Sequence, residues 1–270
     1  EQRTVILGAG AAGVGIARLL RDTLSREGLT GDAVFRAIVI LDSRGMLVND
    51  QEIPDQHKRE FAWPAGLAEK HGLGSGRPRD LLAVVKAVKP TVLIGTSGEP
   101  GMFTEMVVRA MAAEVERPLI FPMSNPTSKS EAKPVDVINW TDGRAIVATG
   151  SPFDPVSYGS RTIRIGQGNN VFVFPGVGLG VLVSEAREVT DEMFAAAADC
   201  LAAEVHEQDI RSGSLFPPIS ELRRVSARIA ESVVRQAREQ GVGKPMPDAK
   251  IPEVVAGAMW DPRYLPVISP

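Results

Sequence analysis

Thr4-Val5-Ile6-Leu7-Gly8-Ala9-Gly10-Ala11-Ala12-Gly13-Val14-Gly15 is the stretch on which the reading of this chain turns. A short apolar run meets a glycine-rich turn, and Val14, Ile16, Ala17, Leu19, Leu20 and Leu24 then recur near helical spacing. The order is therefore strand, turn, helix, with glycines at positions 8, 10 and 13. The first permits a tight turn, the second lets a pyrophosphate approach the backbone, and the third lets helix and strand pack closely. The helix start adds free N–H donors and a partial positive charge suited to phosphates. As bare letters the pattern is weak, and a tight turn with packing glycines is the plain alternative. Its setting between strand and helix favours a nucleotide. Gly15 is expected to thin the helix further where it meets the sheet.

Outward from this unit the same rhythm continues. Apolar runs at Ala37–Leu41, Thr91–Ile94, Leu119–Met123 and Ala145–Ala148 alternate with amphipathic stretches, several opened by capping residues such as Asp80 and Thr104. That alternation predicts an α/β fold: a doubly wound, Rossmann-like, mostly parallel sheet with flanking helices. Residues 43–78 read as largely loop, and a long irregular stretch, 149–170, precedes the last apolar run, Val171-Phe172-Val173-Phe174. Beyond it the chain reads as helical, over about 179–187, 191–207 and 220–240, which gives a helical C-terminal part. Residues 1–243 are taken as one domain, and the Pro-rich tail 244–270 as an extended arm.

Composition narrows the function. The 270 residues carry 30 Lys plus Arg against 33 Asp plus Glu, a net charge of −3, which argues against nucleic-acid binding. Hydrophobic residues make up 44% and charged residues 23%, the proportions of an ordinary globular chain. Cys200 is the single cysteine, so neither an intrachain disulfide nor a multi-thiolate metal site can form. No apolar run approaches the length of a membrane span, and a soluble, cytoplasmic protein is expected. The chain opens almost directly on a core strand, without Met, which reads as a piece of something longer.

Asp42 ends the second apolar run, where a carboxylate can accept from an adenine ribose. It lies 29 residues beyond Gly13, against the usual spacing of about 20, with the surplus assigned to the loop around Glu27–Arg36. A surface aspartate ending a strand is the alternative. Arg44, Lys58 and Arg59 are nearby cations that could meet a 2′-phosphate. Gly95-Thr96-Ser97-Gly98 and Ser124-Asn125-Pro126-Thr127 each follow an apolar run directly, at the strand ends that line the crevice of such a sheet. Asn125 reads locally either as a ligand amide or as an Asx turn. Asn169 and Asn170, in Gly166-Gln167-Gly168-Asn169-Asn170, are turn formers on local grounds alone. The histidines His57, His71 and His206 show no triad-like or metal-like spacing, and His206 is expected on a polar helix face.

Taken in order, Gly8–Gly13, Leu41-Asp42-Ser43-Arg44-Gly45, Lys89-Pro90 into Leu93-Ile94-Gly95, Arg117-Pro118-Leu119-Ile120 and Ser124-Asn125-Pro126-Thr127-Ser128 resemble the malic enzyme family. So do Ala148-Thr149-Gly150-Ser151-Pro152-Phe153, Gly166–Asn170 and Phe174-Pro175-Gly176. The resemblance covers about residues 3–240 and implies a Rossmann-like cofactor domain. It also implies oxidative decarboxylation of L-malate to pyruvate and CO2 with NAD or NADP and a Mg or Mn ion. It assigns Gly8, Ala9, Gly10, Ala11, Ala12 and Gly13 to the pyrophosphate, Asp42 to the adenine ribose, and Ser43 to the cofactor site. Thr96, Ser97, Met123 and Ser124 fall beside the nicotinamide half, and Asn125, Asn169 and Asn170 at malate or the nicotinamide amide. The family's tyrosine acid, lysine base and carboxylate metal ligands lie upstream of the glycine turn, and only seven residues precede Gly8 here. The resemblance therefore implies a cofactor-binding half whose partners are the catalytic N-terminal domain and further copies of the protein. NAD is expected rather than NADP, because Asp42 disfavours a 2′-phosphate by charge. A malolactic-type enzyme and a non-catalytic nucleotide-sensing module are the competing readings.

Overall fold

The computed structural model describes residues 2–261, which divide into two compact units. Of the described residues, the first comprises 2–169 and 207–216, the second 170–206 and 217–261.

The first unit is built on a seven-stranded sheet. Its strands are β1 (Thr4–Leu7), β2 (Ile38–Asp42), β3 (Gly45–Met46), β4 (Val92–Gly95), β5 (Leu119–Pro122), β6 (Ile146–Thr149) and, past the hairpin β7 (Val156–Tyr158)–β8 (Arg161–Ile163), β9 (Gly166–Gln167). The order across the sheet is β3-β2-β1-β4-β5-β6-β9, all parallel except β3. The chain thus runs one way from β1 to β2 and resumes on the other side with β4. Ligands bind at such a reversal. Register sharpens the point: Leu7 pairs with both Leu41 and Gly95, so Gly8, Asp42 and Thr96 leave the sheet side by side.

Both faces of the sheet are covered, which is why its central strands are mostly apolar on both faces. Val5, Leu7, Val39, Leu41 and Leu93 face one core, shared with α5 (Leu81–Val88), α6 (Glu105–Glu114) and α7 (Pro134–Trp140), helices reached after α1 (Ala11–Arg26), α2 (Asp32–Ala37), α3 (Gln56–Arg59) and α4 (Ala65–Lys70). Ile6, Ile38, Ile40 and Ile94 face the other core, against Val14 and Ala17 of α1. The alternation within one strand, Val5 and Leu7 against Ile6, is the period of two that side chains follow in a pleated strand.

The second unit is helical. It contains α8 (Phe174–Ser184) and α9 (Asp191–Ala203); α10 (Glu207–Arg211) belongs to the first unit; α11 (Leu222–Glu239) and α12 (Ile251–Ala258) complete the second. Val225, Ile229 and Val233 of α11 are fully buried against Val177 of α8 and Met193 and Ala197 of α9. No described helix is long and apolar enough to cross a membrane.

Three features differ from the reading of the sequence. The run Val171–Phe174 joins no sheet: it is a 3-10 turn, Asn170–Phe172, followed by the start of α8. The tail from Lys244 is not simply an extended arm, because α12 forms within it and buries Ile251 and Val255 completely. The part of that tail from Pro262 lies outside the described residues. The surplus before Asp42 is an extra helix, α2, rather than loop. Residues 43–78 are largely loop, as read, with only the short elements β3, α3 and α4 within them.

Candidate functional site

The ends of β1, β2 and β4 open on a cleft of about 930 Å³ in the first unit. Its floor is Gly8, Ala9, Gly10 and Ala11. The three glycines of the turn play different parts. Gly8 has φ +115°, and a Cβ there would lie 2.5 Å from the Thr96 carbonyl carbon. At Gly13 a Cβ would lie 1.8 Å from the Gly8 carbonyl oxygen, so helix and turn can touch only without one. At Gly10 nothing lies within 4 Å. Two glycines close the fold, and the third leaves room for something else. Gly10 also caps α1 without any side-chain hydrogen bond, so no side chain caps the first-turn N–H groups. Ala12 is exposed and Gly13 buried, and neither lines the cleft.

Gly15 departs from its expected role. It is exposed on the cleft side, with nothing within 4 Å of its Cβ position, rather than packed on the sheet. One turn on, Arg18 lines the same cleft. The spacing 11, 15, 18 along one helix face is the signal that could have found it. Arg18 grips Glu60 through Nε and Nη2 at 3.2 and 2.6 Å, and its Nη2 lies 2.6 Å from Nδ1 of His57. Hydrogen bonding from Arg18, followed by Arg21, pulls the Glu60 carboxyl down to about 2.

Asp42 and Ser43 form another wall of the cleft. Oδ1 of Asp42 accepts from the Arg44 N–H at 2.8 Å, and Oδ2 accepts from Lys58 Nζ at 3.1 Å. The Arg44 guanidinium is 3.8 Å from the same oxygen. Lys58 is set in place by Asp55, which caps α3 through the N–H groups of His57 and Lys58. The His57 N–H, foremost, holds the Asp55 carboxyl below its usual range. Arg59 takes no part in lining the cleft and donates to the Pro54 carbonyl instead. His71 packs edge-on against Trp63, with ring centroids 5.3 Å apart. His206 lies exposed between α9 and α10, not on a helix.

Thr96 and Ser97 line the cleft from the end of β4. Met123, Ser124, Asn125 and Asn169 lie outside its lining and gather at the ends of β5, β6 and β9. Met123 donates its N–H to the Gly95 carbonyl at 2.9 Å. Asn125 is exposed; its Oδ1 accepts from Ser151 Oγ, and its peptide bond to Pro126 is cis. Asn169 donates through Nδ2 to the Gly150 carbonyl at 3.1 Å. Asn170 is the first residue of the second unit and opens its 3-10 turn.

The two groups are joined by a residue the sequence reading passed over. Glu131 is fully buried, and both its carboxyl oxygens accept. Oε1 takes the Ser97 N–H at 2.9 Å, Ser97 Oγ at 2.8 Å and Ser124 Oγ at 2.6 Å; Oε2 takes the Ser124 N–H at 3.3 Å. Ser124 Oγ accepts in turn from the Gly98 N–H, and Ser97 Oγ from the Glu99 N–H. Among the described residues no group of three or more His, Cys, Asp or Glu side chains is placed to hold a metal ion.

Residues 1–238 match the family described as "Malic enzyme, NAD binding domain". The chain belongs to that family. It is similar to the NAD-dependent malic enzyme 3 of Bacillus subtilis (strain 168), 44% identical over 99% of this chain and 47% of the relative. The NAD-dependent malic enzyme of Shewanella denitrificans is 42% identical over 98% and 47%. Among solved structures, the malic enzyme of Entamoeba histolytica superposes with a TM-score of 0.73 at 25% identity, covering 95% of this chain and 47% of that one. The chain spans about half the length of the curated relatives it matches. As a malic enzyme NAD-binding domain, it has its glycine turn, Asp42 and Thr96 where a doubly wound sheet receives a dinucleotide.

Proposed function

We propose that this chain is the cofactor-binding half of an enzyme that oxidatively decarboxylates L-malate to pyruvate and CO2, with NAD as the hydride acceptor. The observation that carries the reading is the cleft at the sheet's reversal, which is open at Gly10 and walled by Asp42 and Thr96. Within it Gly8–Ala11 offers backbone room and α1 offers N–H donors for the pyrophosphate, while Asp42 and Ser43 meet the adenine ribose. Thr96 and Ser97 face the nicotinamide half, and Met123 and Ser124 support that side. Asn125, Asn169 and Asn170 orient substrate or the nicotinamide amide. These groups hold and aim the reactants, which supplies the proximity part of the rate. Bound NAD supplies the C4 position that accepts hydride.

Residues 1–243 are read as the cofactor domain, with the acid, base and divalent-ion ligands contributed by a further, catalytic domain. That the relatives are about twice as long supports this division. Self-association is part of the reading and is supported by Leu182 and Trp260, exposed at 76% and 78%. The preference for NAD over NADP rests on Asp42, which would repel a 2′-phosphate, set against Lys58, which partly neutralises it. The relatives' names, NAD-dependent malic enzymes, support the same direction.

The experiment is calorimetric titration of the purified chain with NAD and with NADP, followed by an assay with malate, NAD and Mn. Binding of NAD ahead of NADP and no malate oxidation are expected. A clear NADP preference that disappears in Lys58→Gln would reverse the cofactor assignment. Turnover within about a hundredfold of a complete malic enzyme, roughly 2.7 kcal/mol in barrier, would place the acid and base in this chain.

A further inference from the structure

Glu131 does more than satisfy a buried cluster. It is a single side chain that ties together two turns from different strands: Ser97 at the end of β4 and Ser124 at the end of β5. The sheet makes space for it specifically. A Cβ on Gly95 would lie 2.4 Å from the Glu131 Cδ, so β4 ends in glycine where the carboxyl must enter. Asp42, beyond the glycine turn at the end of β2, makes no hydrogen bond to Glu131 and is set by the Arg44 N–H and Lys58, whereas Gly8 packs directly on the Thr96–Ser97 backbone.

We propose that Glu131 is the positioning residue for the nicotinamide half of the dinucleotide, holding the serine turns on that side of the cleft at fixed separation while leaving the adenine ribose side at Asp42, two strands from β4, untouched. The assignment rests on the cofactor reading given above. A carboxylate suits the task because it has two acceptor oxygens and no donor. Two of its partners, the N–H groups of Ser97 and Ser124, are fixed in the backbone and bond to different oxygens. In Glu131→Gln one oxygen becomes an NH2 group, so one of these N–H groups loses its acceptor while the shape is kept. The serine hydroxyls can rotate away from a donor; the backbone cannot. A buried N–H without an acceptor is costly, and the turn that carries it shifts to find one.

The test is calorimetric titration of NADH and of ADP-ribose, which lacks the nicotinamide, into the wild type and Glu131→Gln, with thermal melting as a check on folding. ADP-ribose should bind both proteins alike. NADH should bind the variant about tenfold more weakly, losing its advantage over ADP-ribose. A merely structural loss would weaken both ligands together, and an unchanged ratio of the two affinities in a folded variant overturns the proposal. If Glu131→Gln does not fold, Glu131→Asp keeps both acceptor oxygens on an arm shorter by one methylene. The ratio should then shift in the same direction, and a constant ratio overturns the proposal equally. A wild type that binds neither ligand refutes the cofactor reading itself, and this inference with it.

Discussion

Two glycine runs in this chain, Gly8-Ala9-Gly10-Ala11-Ala12-Gly13 in the first unit and Gly176-Val177-Gly178-Leu179-Gly180 in the second, leave very different spaces behind them. The first sits at a strand end, and its central glycine faces open cleft. The second lies inside α8, where Gly176 and Gly180, one turn apart, are buried against α11. Their missing Cβ atoms would lie 2.7 Å from the Cβ atoms of Ile229 and Val233, so the space is already filled by the neighbouring helix. The same letters therefore border an open cleft in one place and mark a close helix crossing in the other. What decides between them is whether anything in the protein occupies the volume a side chain would take.

Substitution at each run separates the two uses. Gly180→Val should be the more damaging change: its Cβ would also stand 2.8 Å from the Ala230 carbonyl, and backbone cannot swing aside. Parting α8 from α11 should cost about 3 kcal/mol, read as a lowered denaturation midpoint. A variant as stable as the wild type would show that the crossing is loose. Gly10→Val should do the reverse. Its side chain enters empty cleft, so melting should stay near wild type while NAD binding weakens at least tenfold, about 1.4 kcal/mol. Unchanged affinity in that folded variant would place the dinucleotide elsewhere.

The comparison also shows what could be read from the sequence and what could not. The strands β1, β2, β4, β5 and β6 were legible because each is a buried apolar run with a turn signal at its end. So was the glycine turn, because its geometry depends on local backbone and on the elements immediately beside it. Val171–Phe174 was not, since a short apolar run fits a strand and a buried helix start equally well. The start won because Pro175 sits in the first turn of α8, where its missing N–H is no loss. Pro252 does the same for α12, and prolines taken as marks of an extended arm are in part helix openers. Glu131 was hidden for another reason. It acts on Ser97 from 34 residues away, and no local pattern records a partner that only the sheet order brings near. Asp42 and Lys58 fall between these cases: both were named as candidates, but their contact at 3.1 Å depends on a cap at Asp55 that the loop-like composition concealed.

The smallest effect is expected at the rim of the open cleft, where side chains rather than backbone set the geometry. Glu60 is the anchor that Arg18 and Arg21 share across from α1, and its carboxyl titrates near 2 against an ordinary 4.5. A carboxyl whose folded value is depressed contributes stability above its ordinary value, and that contribution fades as pH falls through the folded one. The window is therefore from pH 4.5 down to about 2. Its size is limited, since the Arg18 and Glu60 side chains are 38% and 35% exposed and water screens the pair. Discounted for that exposure, Glu60→Gln should cost at most about 1 kcal/mol at neutral pH. Urea denaturation of both proteins from pH 7 toward pH 3 should show the difference narrowing below pH 4.5, and shrinking with added salt at neutral pH. The Gly180→Val difference, which comes from packing, should respond to neither. A Glu60→Gln difference that stays constant through the same range would mean that Arg18 is held at the cleft by shape and not by charge, and the rim would then behave like the helix crossing.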